Sequence, residues 1–250
     1  MDIASLMIYS PADLLAIAIV MVGIMLQAWG GLGFGLLAAP LLYLINPAYV
    51  PGPILILGFS LSVLMVIRER SQLRWRGILP AALARIPGSW FGALLLVSIP
   101  AYSLSLLFGV TLLLAVLLSW RTYRVSKTPL SLMIGGFFSG LIGTATSVGG
   151  PPIALVYQEQ NRILARNELA AFFLIGTPAS ILMLALQDRV DLLSLELSLK
   201  VFPGVLLGFW LANVLDGGGQ AKSAKPLILT VCSASAVMVL YKGLQGWLAA

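Results

Sequence analysis

The chain has 250 residues, of which 60% are hydrophobic and only 10% are charged, with a net charge of +6. Soluble domains carry roughly 25% charged residues, so this composition excludes a soluble protein. Histidine is absent and Cys232 is the single cysteine. An internal disulfide, a thiolate metal cluster and histidine-based catalysis are therefore excluded as well.

Long charge-free stretches predict membrane spans. Residues 14–67, 86–120 and 128–158 carry no charged side chain, and each stretch exceeds the roughly 20 apolar residues that cross a bilayer. The stretches lack the two-residue alternation of barrel strands, so we expect an all-α polytopic membrane protein that contacts the lipid bilayer but no nucleic acid, cofactor or metal. Long spans are predicted near 12–30, 50–67, 77–98, 101–120, 130–146, 168–186, 195–214 and 226–246, with two short apolar pieces at about 34–46 and 150–158.

Basic residues set the expected orientation of these spans. The loops at 68–76 and 121–127 are rich in lysine and arginine, which predicts a cytoplasmic location. If the short pieces also cross, the basic residues near 162–166 and 222–225 fall on the same side, whereas re-entrant pieces would move them outside. Crossing or nearly crossing pieces fit the charges better, and both possibilities stay open. The basic residues concerned are Arg68, Arg70, Arg74, Arg76, Arg121, Arg124, Lys127, Arg162, Arg166, Lys222 and Lys225.

The second half of the chain repeats the first. At a constant offset, Gly31 and Pro40 align with Gly143 and Pro152. Corresponding loops carry opposite charge character, which indicates that the repeat is inverted. Inverted repeats are common in secondary transporters. We therefore predict a single transmembrane domain over 1–250, with repeat 1 at about 12–120 and repeat 2 at about 130–246.

Each repeat is interrupted by glycines at a matching place. The first break reads GGLGFGLLAAP (30–40) and the second GLIGTATSVGGPP (140–152), and both end at a proline. Freed backbone N–H groups and half-helix N-termini at such breaks attract anions. Close helix packing is the alternative explanation for the glycines. The candidate binding residues at the breaks are Gln27, Gly31, Gly33, Gly35, Gly143, Thr144, Thr146, Ser147, Gly149 and Gly150.

Arg85, Lys200 and Glu168 are charged residues that fall within predicted spans. Arg85 lies deep in the 77–98 span with no acid nearby in sequence, so we add it to the candidate site. Lys200 occupies nearly the corresponding place in the second half, and Glu196 one turn earlier offers a structural ion-pair partner. Glu168 is expected at the N-terminus of the 168–186 span, where its charge suits the helix dipole. Proton coupling is the alternative role for this carboxylate.

The glycine-rich break leading to P-x-L-type residues in each half, the two-fold repeat and the P-G-x-x-x-G span resemble the TauE/SafE family of sulfite and organosulfonate exporters. The resemblance covers about residues 12–246. It implies a secondary transporter that exports a small sulfur-containing anion, sulfite or an organosulfonate, across the cell inner membrane, and not an enzyme. An anion channel or facilitator without ion coupling is the alternative. The anion, the coupling ion, the direction of flux and the oligomeric state, including a homo-oligomer, stay open.

Overall fold

The computed structural model describes residues 9–31, 33–70, 73, 75–120, 125–215 and 225–248, except for the side chains of 101–102 and 225–228. This part of the chain is helical and contains no strand, which confirms the all-α prediction. Its helices are α1 (Pro11–Gly30), α2 (Phe34–Ile45), α3 (Gly52–Glu69), α4 (Trp75–Ser98), α5 (Ala101–Trp120), α6 (Pro129–Thr146), α7 (Gly150–Tyr157), α8 (Arg162–Ala185), α9 (Leu192–Leu215) and α10 (Lys225–Leu248), with a short 3₁₀ turn at Pro47–Tyr49.

Seven of these helices are long and apolar enough to cross a membrane, namely α1, α3, α4, α5, α6, α8 and α9. The eighth long span, predicted over 226–246, corresponds to α10. This helix has 24 residues and therefore sufficient length, but it does not belong to the seven. The side chains of its first turn lie outside the described set. The chain is thus a multi-pass membrane protein.

Local capping signals fix several helix starts. Ser10 forms a capping box with Asp13 at the start of α1, and Thr128 forms one with Ser131 at the start of α6. Asn161 accepts a hydrogen bond from the Ile163 N–H and so starts α8 at residue 162. The predicted start of this helix at 168 is therefore wrong. Hydropathy places the start too late, because charged residues in the first turns of the helix lower the local hydropathy.

Helices of the two halves pair reciprocally. Helix α1 packs against α9, and α6 packs against α4. Likewise α2 contacts α10 and α7 contacts α5, while α3 packs on α8 and α5 packs on α10. This exchange of equivalent contacts is what a two-fold repeat of α1–α5 and α6–α10 would produce. The exact repeat boundaries stay a prediction.

Glycines bring the paired helices into backbone contact. A Cβ added at Gly204 would lie 2.6 Å from the Ile17 carbonyl oxygen, and one at Gly208 would lie 2.4 Å from that of Met21. Residue numbers rise together along α9 and α1, so these helices run parallel. A Cβ at Gly136 of α6 would similarly lie 2.2 Å from a backbone oxygen of α4. Small residues thus permit the close approach typical of membrane helices.

Helices α2 and α7 are half-helices that turn back along the helix before them. A Cβ at Gly143 would lie 2.9 Å from the Gly149 Cα, and one at Gly135, two turns earlier, would lie 3.2 Å from the Pro152 oxygen. At 1.5 Å per residue, the 12 residues of α2 and the 8 of α7 rise about 18 Å and 12 Å. Neither reaches the roughly 30 Å thickness of a bilayer core.

Charged residues connect α3 and α8 at one end of the bundle. The Glu69 carboxylate lies 2.9 Å from Arg68 Nε and 2.8 Å from the Arg166 guanidinium. The end of α3 and the start of α8 are therefore on the same side, as crossing short segments require. Of the basic residues used for the orientation, Arg74, Arg121, Arg124, Lys222 and the side chain of Lys225 lie outside the described part of the chain.

Candidate functional site

Both long helices that precede the breaks end in the same way. Gly31 has φ 80° and donates its N–H to the Gln27 oxygen at 2.7 Å, while Ser147 has φ 64° and donates to the Gly143 oxygen at 2.8 Å. A left-handed residue that closes such a hydrogen bond terminates an α-helix. Gly33 follows with φ 145°, a conformation that only glycine adopts readily. The predicted interruptions are present in both halves.

The two breaks contact each other inside the bundle. A Cβ at Gly35 would lie 2.7 Å from the Ser147 carbonyl oxygen, so this position has no room for a side chain. The Ser147 hydroxyl donates to the Pro51 carbonyl oxygen at 2.9 Å, which fixes the second break against the start of α3. Residues far apart in the sequence thus form one junction.

A cavity of about 50 Å³ lies at this junction. Eight of the eleven predicted binding residues line it: Gln27, Gly33, Gly35, Arg85, Gly143, Ser147, Gly149 and Gly150. Seven further lining residues carry no signal in the sequence that singles them out: Phe34, Leu36, Ile54, Leu55, Gly58, Phe173 and Thr177.

Both half-helices begin at the cavity wall. The first residue of α2 is Phe34, and the first residue of α7 is Gly150. The N–H groups of a first helical turn lack intrahelical acceptors, and the helix dipole makes this end positive. Gln27 satisfies one of them, because its Oε1 accepts the Phe34 N–H at 3.1 Å. Pro151 and Pro152 have no N–H, so Gly150 alone of the first three residues of α7 offers such a donor. The free N–H groups of α2 and the two helix dipoles give the cavity a polarity that suits an anion.

Arg85 is the charged residue in the cavity lining. Its side chain is 1% exposed, and its guanidinium carbon lies 5.0 Å and 5.1 Å from the ring centroids of Phe172 and Phe173. Its terminal nitrogens donate to the Ser139 hydroxyl at 3.2 Å and the Ser180 hydroxyl at 3.4 Å. Within the described residues, no carboxylate pairs with Arg85 and its Nε has no hydrogen-bond partner. A buried cation is costly without a counter-charge, so a bound anion would stabilise it.

Buried hydroxyl groups form hydrogen bonds with Arg85 and with one another. The Ser180 hydroxyl lies 2.9 Å from that of Ser89, and it accepts a hydrogen bond from Thr144 Oγ1, also at 2.9 Å. The Ser139 hydroxyl donates to the Gly149 carbonyl oxygen at 2.6 Å and so joins Arg85 to the start of α7. Sequence reasoning misses Ser89, Ser139 and Ser180, because an isolated serine in a membrane helix has no distinctive pattern. The alignment of the repeats offers one signal, since Ser139 falls opposite Gln27.

Three predicted binding residues do not line the cavity. Gly31 packs against α8, where an added Cβ would lie 2.9 Å from the Arg166 Cα. Thr144 donates its hydroxyl to that of Ser180, which is not among the lining residues of the cavity. Thr146 donates its hydroxyl to the Ile142 carbonyl oxygen of its own helix at 2.7 Å.

The other charged residues within the spans also serve elsewhere. Lys200 pairs with Asp13 at 2.8 Å rather than with the expected Glu196, because α9 lies against α1. Glu168 lies in the second turn of α8, so the expected location at the helix N-terminus is wrong. Its carboxylate binds Lys127 and the Tyr157 hydroxyl instead.

Broken helices that meet inside a helical bundle, beside a buried cation, are common in membrane transporters. The sequence model of the family described as Sulfite exporter TauE/SafE matches residues 15–239. The chain therefore belongs to this family of membrane transporters, which are not enzymes. Searches of curated proteins and of solved structures found no match.

Proposed function

We propose that this protein exports sulfite across the cell inner membrane by saturable secondary transport, with the cavity between the breaks as the substrate site. Arg85 carries the proposal, since it is a buried cation without a carboxylate partner in the described residues. In this role Arg85 binds the anion, and the N–H groups of Gly35 and Leu36 in α2 and of Gly150 in α7 bind its oxygens. Gln27 and Ser147 contribute polar groups to the cavity lining.

The cavity volume favours a small substrate. A water molecule needs roughly 10–15 Å³ of such space, so the 50 Å³ cavity offers about three to five water-sized positions. Sulfite suits this volume better than the longer organosulfonates. We expect organosulfonates to be transported more slowly or to require a wider conformation of the breaks.

Flux measurements in proteoliposomes test this function. Purified protein is assayed with sulfite, sulfoacetate and chloride, each with and without an imposed pH gradient. We expect saturable sulfite flux that responds to the gradient and exceeds sulfoacetate flux. Chloride flux without saturation would identify a channel, and no anion flux from folded protein would refute the proposal.

Two variants locate the activity. Arg85→Ala removes the cation, and Gly143→Leu forces the second break apart, because even a Cβ there would lie 2.9 Å from Gly149. Both should abolish sulfite flux. Arg189→Ala, at an exposed arginine near the start of α9, is the matched control and should retain it. Equal flux in all three variants would place the site elsewhere.

A further inference from the structure

A buried ionic cluster lies at the end of α7 that is remote from the cavity. We call Lys127, Tyr157 and Glu168 the α7 anchor. The Glu168 carboxylate is buried, pairs with the Lys127 ammonium and accepts a hydrogen bond of 2.8 Å from the Tyr157 hydroxyl. Lys127 Nζ also lies 4.7 Å from the Tyr157 ring centroid. Each member of the anchor therefore contacts both others.

The anchor joins four segments of the chain. Glu168 belongs to α8, Tyr157 ends α7 and Lys127 precedes α6. At the start of α4, a Cβ on Gly77 would lie 3.4 Å from Glu168 Oε1. Replacing a buried ion pair with apolar residues is often neutral or stabilising, so stability alone is a weak reason for such a cluster. A role in placing one of these segments accounts for it better.

Each helix that the anchor joins reaches the cavity, and α7 is the shortest of them. It rises only about 12 Å from Gly150, in the cavity wall, to Tyr157, in the anchor. Gly149 lies immediately before this helix, and its carbonyl oxygen accepts a hydrogen bond from the Ser139 hydroxyl. The same hydroxyl accepts a hydrogen bond from the Arg85 guanidinium. The half-helix is therefore held at both ends, and a shift at Tyr157 moves the end in the cavity.

The half-helix of the first repeat, α2, has a neutral contact near its end. Tyr43, near the end of α2, has its hydroxyl 2.5 Å from that of Ser105. Hydrogen bonds to an ionised acceptor are roughly twice as strong as neutral ones, and the Lys127 ion pair adds a second charged contact. The anchor therefore holds α7 more firmly than the neutral pair holds α2.

We propose that the α7 anchor sets the position of the α7 N-terminus in the substrate site, with Tyr157 and Glu168 as positioning residues that do not touch the substrate. This inference rests on the proposed function. Binding groups displaced by about 1 Å lose much of their effect. Loss of the anchor should therefore weaken substrate binding more than it slows the transport step.

The first test measures sulfite transport by Tyr157→Phe and Glu168→Gln in proteoliposomes. We expect KM to rise about tenfold, as for loss of one charge-assisted hydrogen bond, with Vmax within about twofold of the original. The double variant should be no worse than the poorer single one, because both changes act on the same Tyr157–Glu168 hydrogen bond. Tyr241→Phe, at an exposed tyrosine of α10, should change neither constant. An unchanged KM, or a loss confined to Vmax, overturns the proposal.

The second test is independent of transport. Amide hydrogen exchange over residues 150–157 should accelerate in Tyr157→Phe, while exchange over residues 229–248 of α10 stays the same. If the original protein moves no sulfite, the proposed function fails, but this comparison still decides the anchor. Unchanged exchange over 150–157 refutes the anchor, and faster exchange confined to this segment supports it.

Discussion

The contact between the two breaks makes Gly35 a sensitive position. In Gly35→Ala the new Cβ would lie 2.7 Å from the Ser147 carbonyl oxygen, whereas ordinary contacts begin at 3.4 Å. Since the obstructing atom belongs to the backbone, a side-chain rotation cannot relieve the clash. The two breaks must move apart by roughly 0.7 Å, and both of them line the cavity.

The expected effect on stability is small. Overpacking costs about 1–3 kcal/mol, while alanine within a helix gains up to about 1 kcal/mol over glycine. The difference, about 0–3 kcal/mol, leaves the protein folded. Transport should be affected more strongly, because binding groups misplaced by about 1 Å cost up to about a hundredfold in rate. We expect sulfite Vmax/KM to fall at least about tenfold.

The assay compares Gly35→Ala with Gly30→Ala in the same glycine-rich tract. A Cβ at Gly30, the last residue of α1, would meet nothing within 4 Å. Sulfite flux is measured in proteoliposomes, and thermal unfolding in detergent checks the fold. Gly30→Ala should retain full activity. Equal losses in both variants, or full activity in Gly35→Ala, would refute the reasoning from the contact between the breaks.

Three further changes test the surroundings of the cavity and one helix cap. Arg85→Gln should raise sulfite KM about tenfold to a hundredfold, because a charged hydrogen bond to the substrate is lost. The same change should raise the melting temperature, because it removes a buried cation. A lower melting temperature would contradict this. Ser180→Ala should destabilise the protein by about 1–3 kcal/mol in chemical unfolding, since it leaves buried hydroxyls unsatisfied, and unchanged stability would argue against the hydroxyl cluster. Hydrogen bonds from Ser194 hold the pKa of the Asp191 carboxyl below its ordinary value, and the bond from the Ser194 N–H has a larger effect than the bond from its hydroxyl. This cap contributes stability that is fully present above the unfolded pKa near ~3.9 and is lost as pH falls through the folded pKa. Thermal unfolding of Asp191→Asn should lack this loss as the pH falls below about 4, and an identical pH profile would refute it.

Local patterns account for the helices and the breaks. Charge-free stretches delimit the spans, and the glycines at 31, 33 and 35 followed by Pro40 predict the first interruption and half-helix. Arg85 stands out because a cation deep in a span is rare. Each of these features depends on a residue and its immediate neighbours in the sequence, so a single sequence is sufficient to find them.

Contacts between distant helices are not predictable in this way. Lys200 has an acid one turn away in sequence, yet it pairs with Asp13 because α9 packs beside α1. Ser180 joins the site only because α8 lies against α4. The start of α8 is predictable from the sequence, because Asn161 is a good capping residue. Hydropathy alone misses this start, because it assigns the charged first turn to a loop.

The pairing of α1 with α9 has a consequence for biogenesis. Trp29 of α1 donates its indole N–H to the Ala212 carbonyl, 183 residues further along the chain. At roughly 5–20 residues per second, the ribosome needs on the order of 10 to 40 seconds to synthesise that interval. During this time the glycine-contacting face of α1 meets only lipid or the insertion machinery. Helix α1 thus meets its partner α9 only late in synthesis, and insertion and assembly are separate steps for this transporter.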